Sequence, residues 1–307
     1  MAYATFDDAL QRSTAAIDRF EDEHGGRDVT DIGEALGEGV ERLEALPGLL
    51  VIPALVTLLS VSDLQAVLAR RGTGSHFGVE FTAPVPIGDL WTFVNVPDAG
   101  AGGVTITPPG LVDTPFPLLM VLAGSVLYFI LYGVLAAGYL GSIQASRRDG
   151  EYDFLTNVRR YTLTYVGLSL VIFGVGLVAV AFAFVFPPVL FLAFPVILAI
   201  GYLFWGAWFL VPVADLEATA ALGQSYRLDV SESDYVLWTL AHLVIGGVVS
   251  LVTTPIVVNT SVVGVVLGLA VVVPIGFILT VASLRVIDDL ADRSEPNQEP
   301  DDAFETY

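Results

Sequence analysis

Residues 201–243, GYLFWGAWFLVPVADLEATAALGQSYRLDVSESDYVLWTLAHL, decide how the chain is read. An apolar run closes on Trp205, Trp208 and Pro212, a small-residue amphipathic stretch follows, and a polar restart from Ser231 to Tyr235 opens the next apolar run. Ser231 and Asp234 have the spacing of a capping box, in which each side chain satisfies the other's backbone N–H at a helix start. The order is membrane, interface, membrane. Working outward, the chain presents this unit three times, with amphipathic stretches DIGEALGEGVERLEALPGLL (31–50), SIQASRRDGEYDFLTNVRRY (142–161) and DLEATAALGQSYRLDVSESDYVLW (215–238). The first and third share Ala-Leu-Gly, at Ala35–Gly37 and Ala221–Gly223. A parallel repeat produces this pattern; so does any six-span chain with both ends on one side.

With 54% hydrophobic residues and a mean hydropathy of +0.72, the chain is too apolar for a soluble domain, yet its formal net charge is −20. The two properties occupy different segments. Residues 1–46 hold twelve Asp and Glu against four Arg, and residues 285–307 hold eight against two. All thirteen basic residues are Arg. Acidic, lysine-free surfaces fit a cell with molar salt inside; a GC-rich genome also favours Arg, but does not by itself give an isoelectric point near 4.2. Cysteine is absent, which excludes disulfides and thiolate chemistry. His24, His76 and His242 lie in separate segments without metal-ligand spacing. No basic patch is present to hold phosphate backbones, so nucleic acid is not an expected partner, and no cofactor is expected.

Residues 3–23 place Phe6, Leu10, Ile17 and Phe20 on one helical face. A second amphipathic helix begins at Asp31 and carries Ile32, Leu36, Val40, Leu43 and Leu46 on one stripe. Residues 1–46 are thus expected to form acidic cytoplasmic helices lying along the membrane, where molar salt shortens the Debye length to about 3 Å and lets the apolar stripe decide. The N-terminus has no charged region followed by an apolar core, so insertion is expected to be driven by the first span. Apolar length predicts a membrane domain over 47–287 with six spans: 47–69, 117–143, 161–186, a fourth turning at Pro187 and Pro188 and ending near Val211, 235–258, and a sixth after a tight turn at Asn259–Ser261. The loop 70–116 contains alternating runs, HFGVEFTA and GVTITP, that predict a small extracellular β-rich cap. Residues 288–307 are expected to be a disordered acidic cytoplasmic tail.

The fold class expected is therefore all-α and integral to the membrane, with interfacial amphipathic helices. With both termini in the cytoplasm, eleven arginines are inside and only Arg70 and Arg71 outside, as the positive-inside rule favours. Trp205, Trp208, Trp238, Tyr161 and Tyr165 then fall near the cytoplasmic interface as an aromatic belt.

Pro212, Asp215 and Glu217, followed by ALGQSYRL and a polar restart, together with LAAGYLGSIQASRRDGEYDFLTNVRRY, carry a resemblance. This pattern resembles the six-helix membrane-protein superfamily that includes the membrane domain of glycerophosphodiester phosphodiesterases and related haloarchaeal membrane proteins. It covers roughly residues 30–290 and rests on small and apolar residues. The catalytic phosphodiesterase domain of some relatives has no counterpart, so the resemblance implies a fold and not an activity.

Three residues are candidates for function. His242 lies inside the fifth span, where an ionisable group is a functional hypothesis by default; the alternative is a neutral imidazole hydrogen-bonded to a neighbouring helix. Asp215 and Glu217 start an interfacial segment, where carboxylates favour a helix N-terminus; two residues apart, they do not share a helical face as a paired acid and base would need. Gly264 with Gly268, and Gly133, Ala137 and Gly141, make small-xxx-small patterns for close helix packing. Ser125 lacks the motif of an intramembrane hydrolase. The leading expectation is a non-catalytic scaffold or membrane-organising protein, partnered by the bilayer and by a protein bound through the acidic tails. The alternative is a small-solute transporter or channel with a polar path near His242, Tyr128 and Tyr132, recognisable by a continuous water-filled cavity reaching His242, where a dry, closely packed bundle would favour the scaffold. An interfacial lipid enzyme ranks lowest.

Overall fold

A computed structural model describes residues 31–69, 75–97, 115–185 and 189–294. The chain divides into two units at Asp31, and the structure from Ile32 onward belongs to the second. The expected helix over 3–23 lies outside the described residues, as do GVTITP and the acidic tail beyond Ser294. Among the described residues the helices are α1 (Ile32–Ala45), α2 (Val51–Leu59), α3 (Val61–Ala69), α4 (Pro115–Asp149), α5 (Phe154–Val185), α6 (Val189–Ala214), α7 (Ala218–Ser231), α8 (Ser233–Thr260) and α9 (Val262–Ser294), with 3-10 turns at Pro47–Leu50 and Leu90–Phe93. Helices α4, α5, α8 and α9 are each long and apolar enough to cross a membrane; counting two bent pairs as one span each raises the number to six. The predicted first span is broken: α2 stops after nine residues, and Ser60, at ψ 66°, separates it from α3.

Local chemistry explains the breaks. Pro47 opens the turn after α1, and the chain bends there by 96°. Gly150, at φ +77°, ends α4, and Asp153 starts α5 by accepting from the Leu155 and Thr156 N–H groups at 3.0 and 3.3 Å. The second expected amphipathic stretch is therefore a short turn between two long helices, unlike α1 and α7. At Ala214 the chain turns by 119° into α7 through a left-handed Asp215, with Leu216 N–H reaching back to the Val211 carbonyl at 3.3 Å. This is a Schellman-type stop with aspartate where glycine is usual. The predicted capping box is absent: α7 runs through Ser231, whose hydroxyl donates back to the Arg227 carbonyl, Glu232 occupies the N-cap of α8, and Asp234 pairs with Arg293 at 2.8 Å.

The small-residue patterns serve packing within the chain. Gly133 and Gly141 let α4 meet α5 at Val166 and at Asn157 and Tyr161, while Gly264 lies against the last turn of α8. The expected aromatic belt turns inward instead. Trp205, Trp208, Trp238, Tyr161 and Tyr165 are all buried, and three of them bond within the bundle: Trp205 donates to Thr239, Trp238 to Ser283 and Tyr165 to the Trp208 carbonyl.

The largest departure concerns the external loop. The HFGVEFTA run forms no strand; residues 75–97 are irregular backbone with one 3-10 turn, lying along α8 with Phe77 and Phe81 exposed and then burying Ile87, Leu90, Phe93 and Val94 among the helices. The segment starts at the Asn259 end of α8, where Asn259 clamps both the N–H and the carbonyl of His76 at 2.8 and 3.0 Å. It passes Ser250, whose hydroxyl accepts from Glu80 N–H, and places Thr82 and Phe93 beside Gly246. From Asn259 to Gly246 is about 20 Å of helix rise. Gly88, near its tip, touches Gly276 of α9 backbone to backbone. The return limb is tied by Thr253, which donates to Phe93 O, and Thr254, which accepts from Asn95 N–H. Thr57 of α2 accepts from Leu90 N–H and its carbonyl accepts from the Trp91 indole. A β-cap would pair its backbone strand to strand; here helix hydroxyls do so, which is what irregular backbone at membrane depth requires.

Candidate functional site

Where the inserted segment turns, it leaves a cavity of about 350 Å³ walled by residues 85–87, Asp89, Thr92, Val56 of α2, Tyr128, Phe129 and Tyr132 of α4, Ser169 and Ile172 of α5 and Trp208 of α6. Tyr128 lies 21 residues before the end of α4, about 32 Å from it along the helix, so the cavity is in the half of the bundle away from the arginines. Ile172 is 47% exposed and forms an outward rim. The aromatic wall is ordered: the Tyr128 and Tyr132 rings stack at 6.1 Å between centroids, and Trp208 stands edge-on to Tyr132 at 6.2 Å. Tyr165 fixes Trp208 from behind, stacked at 5.9 Å with its hydroxyl donating to the Trp208 carbonyl.

Asp89 is the buried carboxylate of this cavity. Its Oδ1 accepts from both the N–H and the hydroxyl of Thr92, at 3.0 and 2.6 Å, capping the 3-10 turn; Oδ2 has no hydrogen bond among the described residues. Ser169, 1% exposed, has a hydroxyl with no partner. The Asp89 carboxylate thus keeps one oxygen without a hydrogen bond on the cavity, and the buried Ser169 hydroxyl beside it is unpaired, where buried polar atoms are otherwise paired.

The residues singled out in the sequence lie elsewhere. His242 is 3% exposed, its ring meets Trp238 edge-on at 6.1 Å, and neither ring nitrogen has a hydrogen-bond partner, so the expected bond to a neighbouring helix is not formed. It sits one turn from Gly246 and does not line the cavity. Asp215 is 59% exposed and grips Arg160 of the other connector with both oxygens, at 3.1 and 2.8 Å. Glu217 is the N-cap residue of α7 but makes no side-chain capping bond. The residue at position 215 needs a left-handed backbone, and exposed ion pairs contribute little. Asp215→Gly is therefore expected to leave stability unchanged or raise it by up to about 1 kcal/mol, as thermal unfolding in detergent would read; a clear loss would assign Asp215 a role beyond turning the chain.

The opposite end of the bundle carries an ionic cluster that docks α1. Arg147, 9% exposed, donates to Glu38 at 2.8 Å, to Gln144 at 2.6 Å and to Asp288 at 3.3 Å. Arg285 reaches Glu34 and Glu38, and Arg148 reaches Asp288 and the Val213 carbonyl. Asp288 belongs to α9, which continues to Ser294, so this part of the expected tail is helical and paired. Burial alone would raise the Glu38 pKa, but Arg147 and Arg285 outweigh it and hold the carboxyl below its ordinary 4.5. A lowered folded-state pKa stabilises above the unfolded value and is lost as pH falls. Docking of α1 is therefore expected to be complete above pH 4.5 and to weaken below it, read as a rising rate of 4,4′-dithiodipyridine labelling of Leu36→Cys relative to a free thiol at the same pH; a relative rate independent of pH would contradict this.

Among the described residues, no three His, Asp or Glu side chains converge in the manner of metal ligands. No protein-family model matches the chain, and neither the curated proteins nor the solved structures include a match.

Proposed function

We propose that the chain is a six-span protein of the cytoplasmic membrane of a halophile, with both termini cytoplasmic, that binds a small solute inside the bundle. The observation that carries the reading is the cavity at the tip of the inserted segment, on which Asp89 keeps Oδ2 without a hydrogen bond while Oδ1 caps Thr92. Irregular backbone deep in an apolar bundle is tolerated where it is buried in protein or lines a cavity, and in many carriers it forms the binding site. The span count is supported by connectivity: Arg42 bonds Ser146 at the arginine end and His76 bonds Asn259 at the other, so the chain traverses the bundle between them. With α4, α5, α6, α8 and α9, this makes six crossings. The orientation is supported by the eight described arginines, all at one end. The scaffold reading presumed a closely packed interior and the transporter or channel reading a cavity reaching His242; this cavity does not reach His242, but it leaves the interior open at the tip of the inserted segment.

Purification from native membranes at molar salt, followed by mass spectrometry of bound material, tests the reading. A stoichiometric small molecule, absent from a Val56→Trp variant that fills the cavity, is the expected result. A stoichiometric protein partner without any small molecule would return the weight to the scaffold.

A further inference from the structure

Resting on the solute-binding reading, we infer that the cavity is a site for a small organic cation, an alkyl-substituted ammonium held by the Asp89 carboxylate and the ring faces of Tyr128, Tyr132 and Trp208. Three features point to this chemistry. The lining has a carboxylate and no basic side chain, and Asp63 of α3 lies within electrostatic reach of both Asp89 and Tyr128, so the local field is negative. Tyr132 and Trp208 stand at 87° to each other and Tyr128 stacks with Tyr132, so three aromatic rings wall the cavity, and such rings attract a cation placed within about 6 Å of a centroid. Of the remaining wall, Val56, Val85, Pro86, Ile87, Phe129 and Ile172 are apolar and Thr92 already gives its hydroxyl to Asp89, so the few oxygens left fall short of the hydration shell of a small inorganic ion. Potassium and sodium need a full set of oxygen ligands; an alkylammonium is weakly hydrated and leaves little hydration behind. The volume suits a ligand at the low end of the usual range of about 300–1,000 Å³.

The test uses the full chain in phosphatidylglycerol nanodiscs at molar KCl, with radiolabelled choline as the cation and 3,3-dimethylbutan-1-ol as its uncharged isostere. Choline is expected to bind saturably, at least about tenfold more tightly than the alcohol. Asp89→Asn, which preserves the cap on Thr92, is expected to weaken choline at least about tenfold. Tyr132→Phe, which keeps the ring, is expected to retain binding, whereas Tyr132→Leu loses it. Equal binding of choline and the alcohol, or an Asp89→Asn variant that binds choline as well as the parent, would overturn the cation assignment and leave solute binding standing. Saturable binding of neither, with Val56→Trp lacking any bound solute to displace, would overturn both. Adding phosphatidylcholine to the nanodiscs separates the sources. Displacement of choline makes the ligand a lipid headgroup and its absence makes it a free solute, and either supports the cation site.

Discussion

Gly276→Val is expected to unseat the inserted segment, at a cost of about 3 kcal/mol. Two backbones meet at this point: a Cβ on Gly276 would overlap the Gly88 carbonyl, and one on Gly88 would lie 3.0 Å from the Gly276 Cα. Neither side can yield as a flexible side chain would, because the obstacle is main chain on both. Displacing the tip also detaches Leu90 from Thr57 and Asn95 from Thr254, leaving N–H groups unpaired at depth, each costing about 1–3 kcal/mol if no new partner is found. The measurement is the apparent melting temperature in detergent, paired with maleimide labelling of Val85→Cys, which is clean because the chain has no cysteine. Labelling is expected to rise as melting falls. Gly174→Val, at a position where a Cβ meets nothing within 4 Å, is the control and is expected to be neutral. Unchanged labelling and melting in Gly276→Val would mean that the segment is not held at this contact.

What the sequence revealed and what it hid follow from how far each signal reaches along the chain. Spans are local: an apolar run long enough to cross a bilayer shows itself, and α4, α5, α8 and α9 lie where such runs predict. The inserted segment is non-local. Glu80 meets Ser250, 170 residues away, and Asn95 meets Thr254, 159 away, so no window contains both partners. Its alternation of apolar and polar residues signals a half-buried extended chain correctly; the partner is a helix face, and alternation alone does not say so. A usable signal was present in α8, where Ser250, Thr253 and Thr254 sit three and four apart in an otherwise apolar run, placing hydroxyls on one face for something polar to meet. Asp89 gives no signal in the sequence because a carboxylate in a loop reads as solvated, whereas His242 stands out by its place in a span. Ala-Leu-Gly behaves alike at both sites: Ala35 and Ala221 are fully buried, while a Cβ on Gly37 or Gly223 meets nothing. That agreement favours kinship of α1 and α7, and the short turn at Gly150 withholds the third copy.

Arg147→Met is expected to release α1 from the bundle and to cost about 2 kcal/mol, less than the 3–5 kcal/mol of a fully buried pair because its partners keep other cations and some solvent. Removing the guanidinium leaves Glu38 with Arg285 and Asp288 with Arg148, and takes away the donor that Gln144, itself buried, meets at 2.6 Å. The loss is therefore mainly carboxylate and amide desolvation without compensation. If so, Glu38→Gln in the Arg147→Met background restores part of the stability that Arg147→Met removes, and the coupling in a double-mutant cycle is the diagnostic quantity. Salt separates this from surface effects. Exposed pairs such as Arg160–Asp215 are screened at molar ionic strength, whereas a pair sheltered between α1, α4 and α9 is screened far less. The coupling of Arg147 with Glu38 is accordingly expected to persist from low to molar KCl, with Leu36→Cys labelling following it. A coupling that vanished in molar salt would place the cluster on the surface and leave the packing of α1 on α9, where Gly39 meets Ile278, as what holds that helix down.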